Sequence, residues 1–395
     1  MAKQKGDEKP VDVLIIGGGI YGCGVAQAVA ASGYSVTLVE KNTIASGTSH
    51  QSTKLIHGGL RYLEQGHLKL VYAALSERET LLNIAPDLVQ REWFYIPIYE
   101  GARHSPWLIG SGLLLYWLLS RGRSRFRRIP HRQWRTVLPG LNNNGLRAVL
   151  AYQDAATDDA ALTRAVAASA QSFGCNILEN HKLQRAEYIG EHGNGHWQVR
   201  FDNRAIRCAR ILVNASGPWM DETCRNIRSN VPDMPHRLIQ GSHLLLDRAC
   251  PAYIYSESTD RRVMFFRPWR GRMLVGTTET ELAAMPDKPA PTQDEIEAIL
   301  STYNHYFPDT CCTDSDILDT YCGVRVLPCG DKAAFAANRE TVILADNEKH
   351  PAYIGIYGGK LTTYRREAEK VLRLISRSIP AKHRADTRHI KLRML

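Results

Sequence analysis

"VDVLIIGGGIYGCGVAQAVAASGYSVTLVE", residues 11–40, is the stretch on which the fold turns. VDVLII is a short apolar run rich in β-branched residues, so it reads as a strand buried on both faces. GGGIYG interrupts it, CGVAQAVAASG supplies a helix of small residues ended by Gly33, and YSVTLVE forms a second strand. Together they make a βαβ unit. Gly17, Gly19 and Gly22 fall at the strand-to-helix junction in G-x-G-x-x-G spacing, and Glu40 ends the second strand. Glycines there let backbone approach a pyrophosphate, the helix N-terminus offers N–H groups and positive potential, and the carboxylate accepts from ribose hydroxyls. The unit predicts a dinucleotide site, and Glu40 argues against a 2′-phosphate.

Further along, apolar residues recur at helical spacing from Leu68 to Leu82. Thr157, Asp158 and Asp159 offer N-cap chemistry to a helix that Gly174 stops, a strand begins at NILEN, and two more strands lead into NASGPW. RLIQGSHLLLD, RRVMFFRPW and GRMLVGTTE then take on antiparallel character, the last two joined by a tight turn at Arg270-Gly271. An acidic helix near 293–306 follows, and YIGIYGGKLTTYRREAEKVLRLI returns to strand, glycine turn and helix. A chain of 395 residues is long enough for two packed lobes.

The formal net charge of +10 favours an anionic partner: a phosphorylated or carboxylated substrate, a membrane surface or nucleic acid. Nine cysteines without a C-x-x-C pair indicate neither a zinc site nor a disulfide framework. No metal is expected, and the compartment reads as reducing and cytoplasmic. Residues 1–10 are charged and lack an apolar core, so they read as a disordered lead-in rather than a signal peptide. WLIGSGLLLYWLL, residues 107–119, is shorter than the roughly 20 residues a membrane span needs. With Arg121, Arg123, Arg125, Arg127, Arg128, Arg132 and Arg135 behind it, it reads either as a core helix and basic loop or as a surface element for peripheral attachment to anionic lipid. The loop carries Phe126 and Trp134 but no recognised nucleic-acid module, so nucleic acid is not expected.

Two segments tilt the dinucleotide toward a flavin. LVNASGPW ends a strand in small residues where backbone can pass close to a nucleotide, and YGGKLTTY opens the last helix, whose N–H groups suit the negative charge of a reduced isoalloxazine. In order, VDVLIIGGGIYGCGVA, ASGTSHQSTKLIHGGLRYLE, LVNASGPW, QGSHLLL, VGTTE, GVRVLP and GGKLTTYR resemble the motifs of FAD-dependent glycerol-3-phosphate dehydrogenases, in the D-amino-acid-oxidase-like flavoprotein superfamily. The resemblance covers residues 10–375, and STKLIHGGLRYLE is far more specific than the glycine motif.

The resemblance implies an α/β fold: a Rossmann-like FAD-binding domain (11–90, 145–220 and 321–380) and an interleaved antiparallel-sheet substrate domain (91–144 and 221–320). Residues 381–395 would form a tail, in a short form lacking the family's C-terminal helical domain. FAD contacts are implied for Gly17, Gly19, Gly22, Glu40, Ser46, Thr48, Ser49, Ser52, Gly58, Gly59, Gly217, Gly359, Lys360, Leu361 and Thr362. Substrate contacts fall to Arg61, Tyr62, Thr277, Arg325, Arg339 and Lys360, and catalytic roles to His243, His57 and Arg325, with His243 ranked ahead of His57 as base. The implied reaction oxidises sn-glycerol 3-phosphate to dihydroxyacetone phosphate, the C2 hydrogen leaving as hydride to flavin N5 while a base takes the hydroxyl proton. A quinone or molecular oxygen would then take the electrons. Several guanidinium forks and an ammonium suit a phosphate dianion. DAATDDAAL lacks an arginine usual there and VRVLPC separates a usual Arg-Pro pair, which leaves open another polyol phosphate, a phosphonate, a hydroxy acid or an amino acid.

Overall fold

A computed structural model describes residues 9–258, 261–329 and 341–394. The first of its two sheets has eight strands: β1 (Val11–Ile16), β2 (Val36–Val39), β7 (Asn176–Leu178), β8 (Leu183–Ile189), β9 (His196–Phe201), β10 (Ile206–Asn214), β17 (Val342–Ala345) and β18 (Tyr353–Tyr357). Its path runs β17-β18-β10-β1-β2-β7, parallel throughout except at the β17 edge. β9 and β8 extend it as an antiparallel ribbon from the first half of β10, and β18 takes the second half of that strand.

Parallel strands need cover on both faces. Val13, Leu14 and Ile15 of β1 are fully buried, and each such side chain is worth roughly 1.5–3 kcal/mol on leaving water. The helix Ile20–Ala31 lies across the sheet, flanked by the helices Asp159–Ser172 and Tyr364–Ser378. Its alanines and glycines permit that close packing: Gly24 faces the Tyr364 ring. The Asp158 carboxylate caps the second of these helices by accepting from Ala161 N–H at 2.9 Å.

The second sheet has ten strands: β3 (Leu55–Ile56), β4 (Val89–Tyr99), β5 (Phe126–Arg128), β6 (Leu146–Thr157), β11 (His236–Leu246), β12 (Tyr253–Glu257), β13 (Val263–Trp269), β14 (Arg272–Gly276), β15 (Thr280–Leu282) and β16 (Ile317–Pro328). All its pairings are antiparallel except β12 with β4. Arg270 and Gly271 both have positive φ (52° and 74°), as a two-residue hairpin turn requires. Two strands depart from the ranges expected from sequence. β6 and most of β16 were grouped with the first lobe, but β6 pairs with β4 and β16 with β11 in the second sheet. Such long-range partners leave no local signal.

The apolar segment forms the helix Pro106–Leu119, N-capped by Ser105, and buries only Leu113 and Tyr116. Trp107 is 88% exposed and Leu118 57%, with Leu108, Leu114 and Trp117 also on the surface. It lies at the surface, with Leu113 and Tyr116 packed into the core beneath it and the rest of its apolar face outward. Among the described residues no helix is long and apolar enough to cross a membrane.

Candidate active site

A cavity of about 930 Å³ opens between the two sheets at the carboxyl ends of β1, β2, β10 and β18. In open parallel sheets this end is where ligands bind. The residues fit a pyrophosphate-bearing dinucleotide. A Cβ at Gly17 would meet Ala215 O at 2.5 Å, and one at Gly22 would overlap Gly17 O, so only glycine keeps this turn tight against β10. Glu40 lines the cavity and accepts from Gly18 N–H (2.7 Å) and Asn42 N–H (2.9 Å), which fixes its carboxylate at the end of β2.

The segment 46–54 forms one wall, and its polar groups are tied to several separate elements. Ser49 Oγ accepts from Ile20 N–H at the start of the glycine-rich helix (2.9 Å), and Thr48 Oγ1 donates to Val324 O of β16 (2.9 Å). Gln51 Oε1 accepts from Cys322 N–H (3.0 Å). Ser52 donates from N–H (3.0 Å) and Oγ (2.6 Å) to Asp159 Oδ2, whose Oδ1 pairs with Lys54 Nζ at 2.7 Å. Lys54 and Asp159 are 2% and 0% exposed, and Lys54 Nζ also donates to His50 O (2.8 Å) and lies 4.7 and 4.9 Å from the Trp269 and Tyr321 ring centroids. Burial pulls the Lys54 pKa down, opposed by Asp159.

The chain then turns along the cavity through Gly58 and Gly59. His57 N–H donates to Thr362 Oγ1 (3.2 Å) and Gly58 N–H to the Tyr116 hydroxyl (2.8 Å), which itself donates to Asp154 (2.6 Å). Tyr116 thus links the exposed helix to this turn. Three cations gather at the end beyond. Arg61 and Arg325 both face Glu279 Oε1, at 3.4 and 3.6 Å, and Lys360 Nζ lies 3.7 Å from the Tyr62 ring centroid. Burial lowers the Arg325 pKa, with Glu279 opposing. Thr277 stands beside Gly241 and Arg325 and donates to Thr278 O (3.1 Å).

Of the residues singled out from sequence, Gly17, Gly19, Glu40, Ser46, Thr48, Ser49, Ser52, Gly217, Gly359, Lys360, Leu361 and Thr362 line the cavity, as do His57, Tyr62 and Arg325. Gly22, Gly58, Gly59, Arg61, Thr277 and His243 are not among the lining residues, and Arg339 lies outside the described residues. The two histidines are not equivalent. His243 is buried behind Thr53, whose Oγ1 is 2.9 Å from its Nε2, whereas His57 is in the wall itself. Burial, reinforced by Lys54 and Arg325, lowers the His243 pKa to about 3. Burial also lowers that of His57, with Asp154 opposing and Lys360 and Arg61 reinforcing. Sequence reasoning missed Asp159, Tyr116, Glu279 and Tyr21, whose hydroxyl accepts from Lys360 N–H (2.9 Å). A lone tyrosine in an otherwise apolar helix was the available signal for Tyr116.

The family described as FAD dependent oxidoreductase matches residues 12–365. A glycerol-3-phosphate dehydrogenase of Synechocystis sp. is 34% identical over 382 residues, 91% of this chain and 69% of its own length. A D-erythritol 1-phosphate dehydrogenase of Brucella abortus is 33% identical over 398 residues, 93% of this chain and 74% of its length. Among solved structures, glycerol-3-phosphate dehydrogenase from Bacillus halodurans complexed with FAD superposes with a TM-score of 0.75 at 27% identity, covering 98% of this chain and 68% of that one.

Proposed function

The chain belongs to the family of FAD-dependent oxidoreductases, of the glycerol-3-phosphate dehydrogenase type, and from that premise we propose that it oxidises sn-glycerol 3-phosphate to dihydroxyacetone phosphate. The observation that carries the substrate class is the convergence of Arg61, Arg325 and Lys360 at one end of the cavity. A carboxylate substrate would need fewer positive groups, whereas a phosphate dianion uses charge-assisted bonds from all three. FAD, held along the Gly17 turn and the 46–54 wall, supplies hydride-accepting chemistry when bound.

The chain's own residues bind, orient and deprotonate. Phosphate held remotely by the arginines and Lys360 fixes the secondary alcohol against the wall, turning binding energy into orientation. His57 takes the hydroxyl proton: its lowered pKa keeps the ring neutral, and so able to accept, at neutral pH. His243 is a positioning residue that acts on Thr53, also in the wall. Positive charge nearby lowers the cost of the developing alkoxide.

The D-erythritol 1-phosphate dehydrogenase relative favours a second reading, a four-carbon polyol phosphate on the same anion site. Electrons leave to a quinone or to molecular oxygen. The exposed face of the helix Pro106–Leu119 suits the interfacial region of an anionic membrane, because Trp107, Leu108, Trp117 and Leu118 are followed directly by the arginine-rich loop. The deciding experiment is anaerobic titration of the FAD-loaded protein with each substrate, read in the visible flavin absorption. Bleaching by stoichiometric sn-glycerol 3-phosphate supports the first reading. Bleaching only by D-erythritol 1-phosphate supports the second, and a flavin that yields to dithionite but to neither sugar phosphate refutes both.

A further inference from the structure

Gly58 belongs to the turn after β3 and follows His57, which lines the cavity; Gly58 itself does not. Its N–H is taken by the Tyr116 hydroxyl at 2.8 Å. A Cβ at Gly58 would stand 2.6 Å from that oxygen and equally close to Leu75 Cδ2, so glycine is what lets the turn reach it. An amide N–H can only donate. The phenol oxygen therefore accepts from Gly58, and its own proton goes to Asp154 Oδ2 at 2.6 Å. Burial, reinforced by Asp154, pushes the Tyr116 pKa well above its usual value, so the phenol keeps that proton.

The groups behind Tyr116 are fixed in turn. Asp154 Oδ1 accepts from Arg78 Nη1 (2.6 Å), and Arg78 Nη2 donates to Ser124 Oγ (2.7 Å) and Glu79 Oε1 (2.7 Å). Tyr116, Asp154, Arg78 and Ser124 are all buried. They come from the helix Pro106–Leu119, β6, the helix Leu68–Ile84 and the loop after the first of these. Replacing a buried ion pair by apolar side chains of similar volume is often neutral or stabilising, so the Arg78–Asp154 pair is weak grounds for stability. What it supplies is direction, and that direction ends on one backbone amide beside His57. The preceding amide, that of His57, donates to Thr362 Oγ1 at 3.2 Å. Two consecutive amides of the turn are thus held by side chains from distant parts of the chain.

We propose that Tyr116, oriented by Asp154 and Arg78, is a positioning residue for the oxidation: by holding the Gly58 amide it sets where the His57 ring meets the substrate hydroxyl. This rests on the assignment of His57 as base. A base must stand within hydrogen-bond reach of the proton it takes, and misplacement by about 1 Å costs on the order of 10²-fold in rate. Anchoring of the phosphate by Arg61, Arg325 and Lys360 does not pass through Tyr116.

The test uses Tyr116→Phe in the FAD-loaded full chain, which keeps the ring against Tyr152 (centroids 5.8 Å apart) and removes only the hydroxyl. Hydrogen exchange at the Gly58 amide, read by mass spectrometry of overlapping peptides, should quicken about 10-fold, as loss of one hydrogen bond predicts. In anaerobic stopped flow with whichever of the two sugar phosphates reduces the flavin, reduction should slow about 10–100-fold. The half-saturating substrate concentration should change less than about 2-fold, since the lost interaction is not one that binds substrate. In a His57→Gln chain the same substitution should slow reduction by no more than about 2-fold, because a residue that acts through another adds nothing once that other is gone. Unchanged exchange overturns the anchor. An unslowed Tyr116→Phe chain, or an equal loss in both backgrounds, overturns the positioning role and leaves His57 as base. A His57→Gln chain as fast as wild type refutes the base, and a flavin that neither sugar phosphate reduces refutes the reaction; either result overturns the positioning role as well.

Discussion

Replacing Asp159 by leucine tests whether the cavity wall is anchored as described. The carboxylate is fully buried and holds Lys54 Nζ through one oxygen and both the N–H and hydroxyl of Ser52 through the other. Without it the Lys54 ammonium stays 2% exposed, with His50 O and two ring faces as its remaining partners. Breaking a buried ion pair from one side costs about 3–5 kcal/mol, a large fraction of the roughly 5–15 kcal/mol by which domains are stable. Urea unfolding of the FAD-loaded protein should register that loss. The double variant Lys54→Met/Asp159→Leu separates charge from anchoring. An apolar pair of similar volume should recover most of the stability. Ser52 remains unanchored, however, so FAD affinity, measured by flavin fluorescence on reconstitution, should stay about 10-fold down, the worth of one hydrogen bond. A single variant that loses less than about 1 kcal/mol, or a double variant that regains stability and FAD affinity together, refutes this account of the wall.

Three further predictions address the site and the surface. His57→Gln should lower kcat by about 10²–10⁴-fold. A base works deprotonated, so wild-type activity should be full above the lowered His57 pKa and fall as pH drops through it, below 6.5. That acid limb should persist in His243→Gln and vanish in His57→Gln; the reverse pattern would return the role to His243. Gly22→Ala should give a folded but colourless protein, since the new Cβ pushes on Gly17 O and opens the pyrophosphate turn; a yellow variant of wild-type affinity contradicts it. Trp107→Ser/Leu118→Ser removes two exposed apolar side chains worth together about 3 kcal/mol of burial, so binding to anionic vesicles in a flotation assay should weaken about 100-fold. Unchanged flotation would leave the helix without a lipid role.

What could be read from sequence was local. The βαβ start, the hairpin at Arg270-Gly271 and the cap at Asp158 are each set by residues within a few positions of one another, and all three stand in the structure. Sheet membership was harder. β6 pairs with β4 across the surface helix and the arginine loop, and β16 pairs with β11 some eighty positions away, so the pairing is a property of the packed chain. The same holds within the site. Lys54 and Asp159 are 105 positions apart and Tyr116 is 58 from Gly58, and neither pair announces itself by spacing. Sequence ranks His243 slightly ahead of His57 as base, on residue type and resemblance alone. In the structure Thr53 stands between His243 and the cavity, whereas His57 lines it.

The mixture of hydroxyls, histidines, lysine and paired glycines in residues 46–62 has a physical cause that neither sheet alone supplies. The segment leaves the first sheet after β2, runs along the cavity and joins the second sheet as β3 against β6. A strap between two layers has no ladder of its own for most of its length, so its backbone and position must be fixed by side chains. Ser49 fixes it to the glycine-rich helix, Thr48 and Gln51 to β16, Ser52 and Lys54 to Asp159, and Tyr116 takes the amide of Gly58. The anchors are on several separate elements, so a shift of any one of those elements moves the wall that carries His57. The same reasoning explains why apolar residues are scarce there: an apolar strap would pack without a direction, while hydrogen bonds set its register to within a few tenths of an ångström. For the proposed oxidation that tolerance would serve to orient the substrate alcohol, since misplacement by about 1 Å costs on the order of 10²-fold in rate.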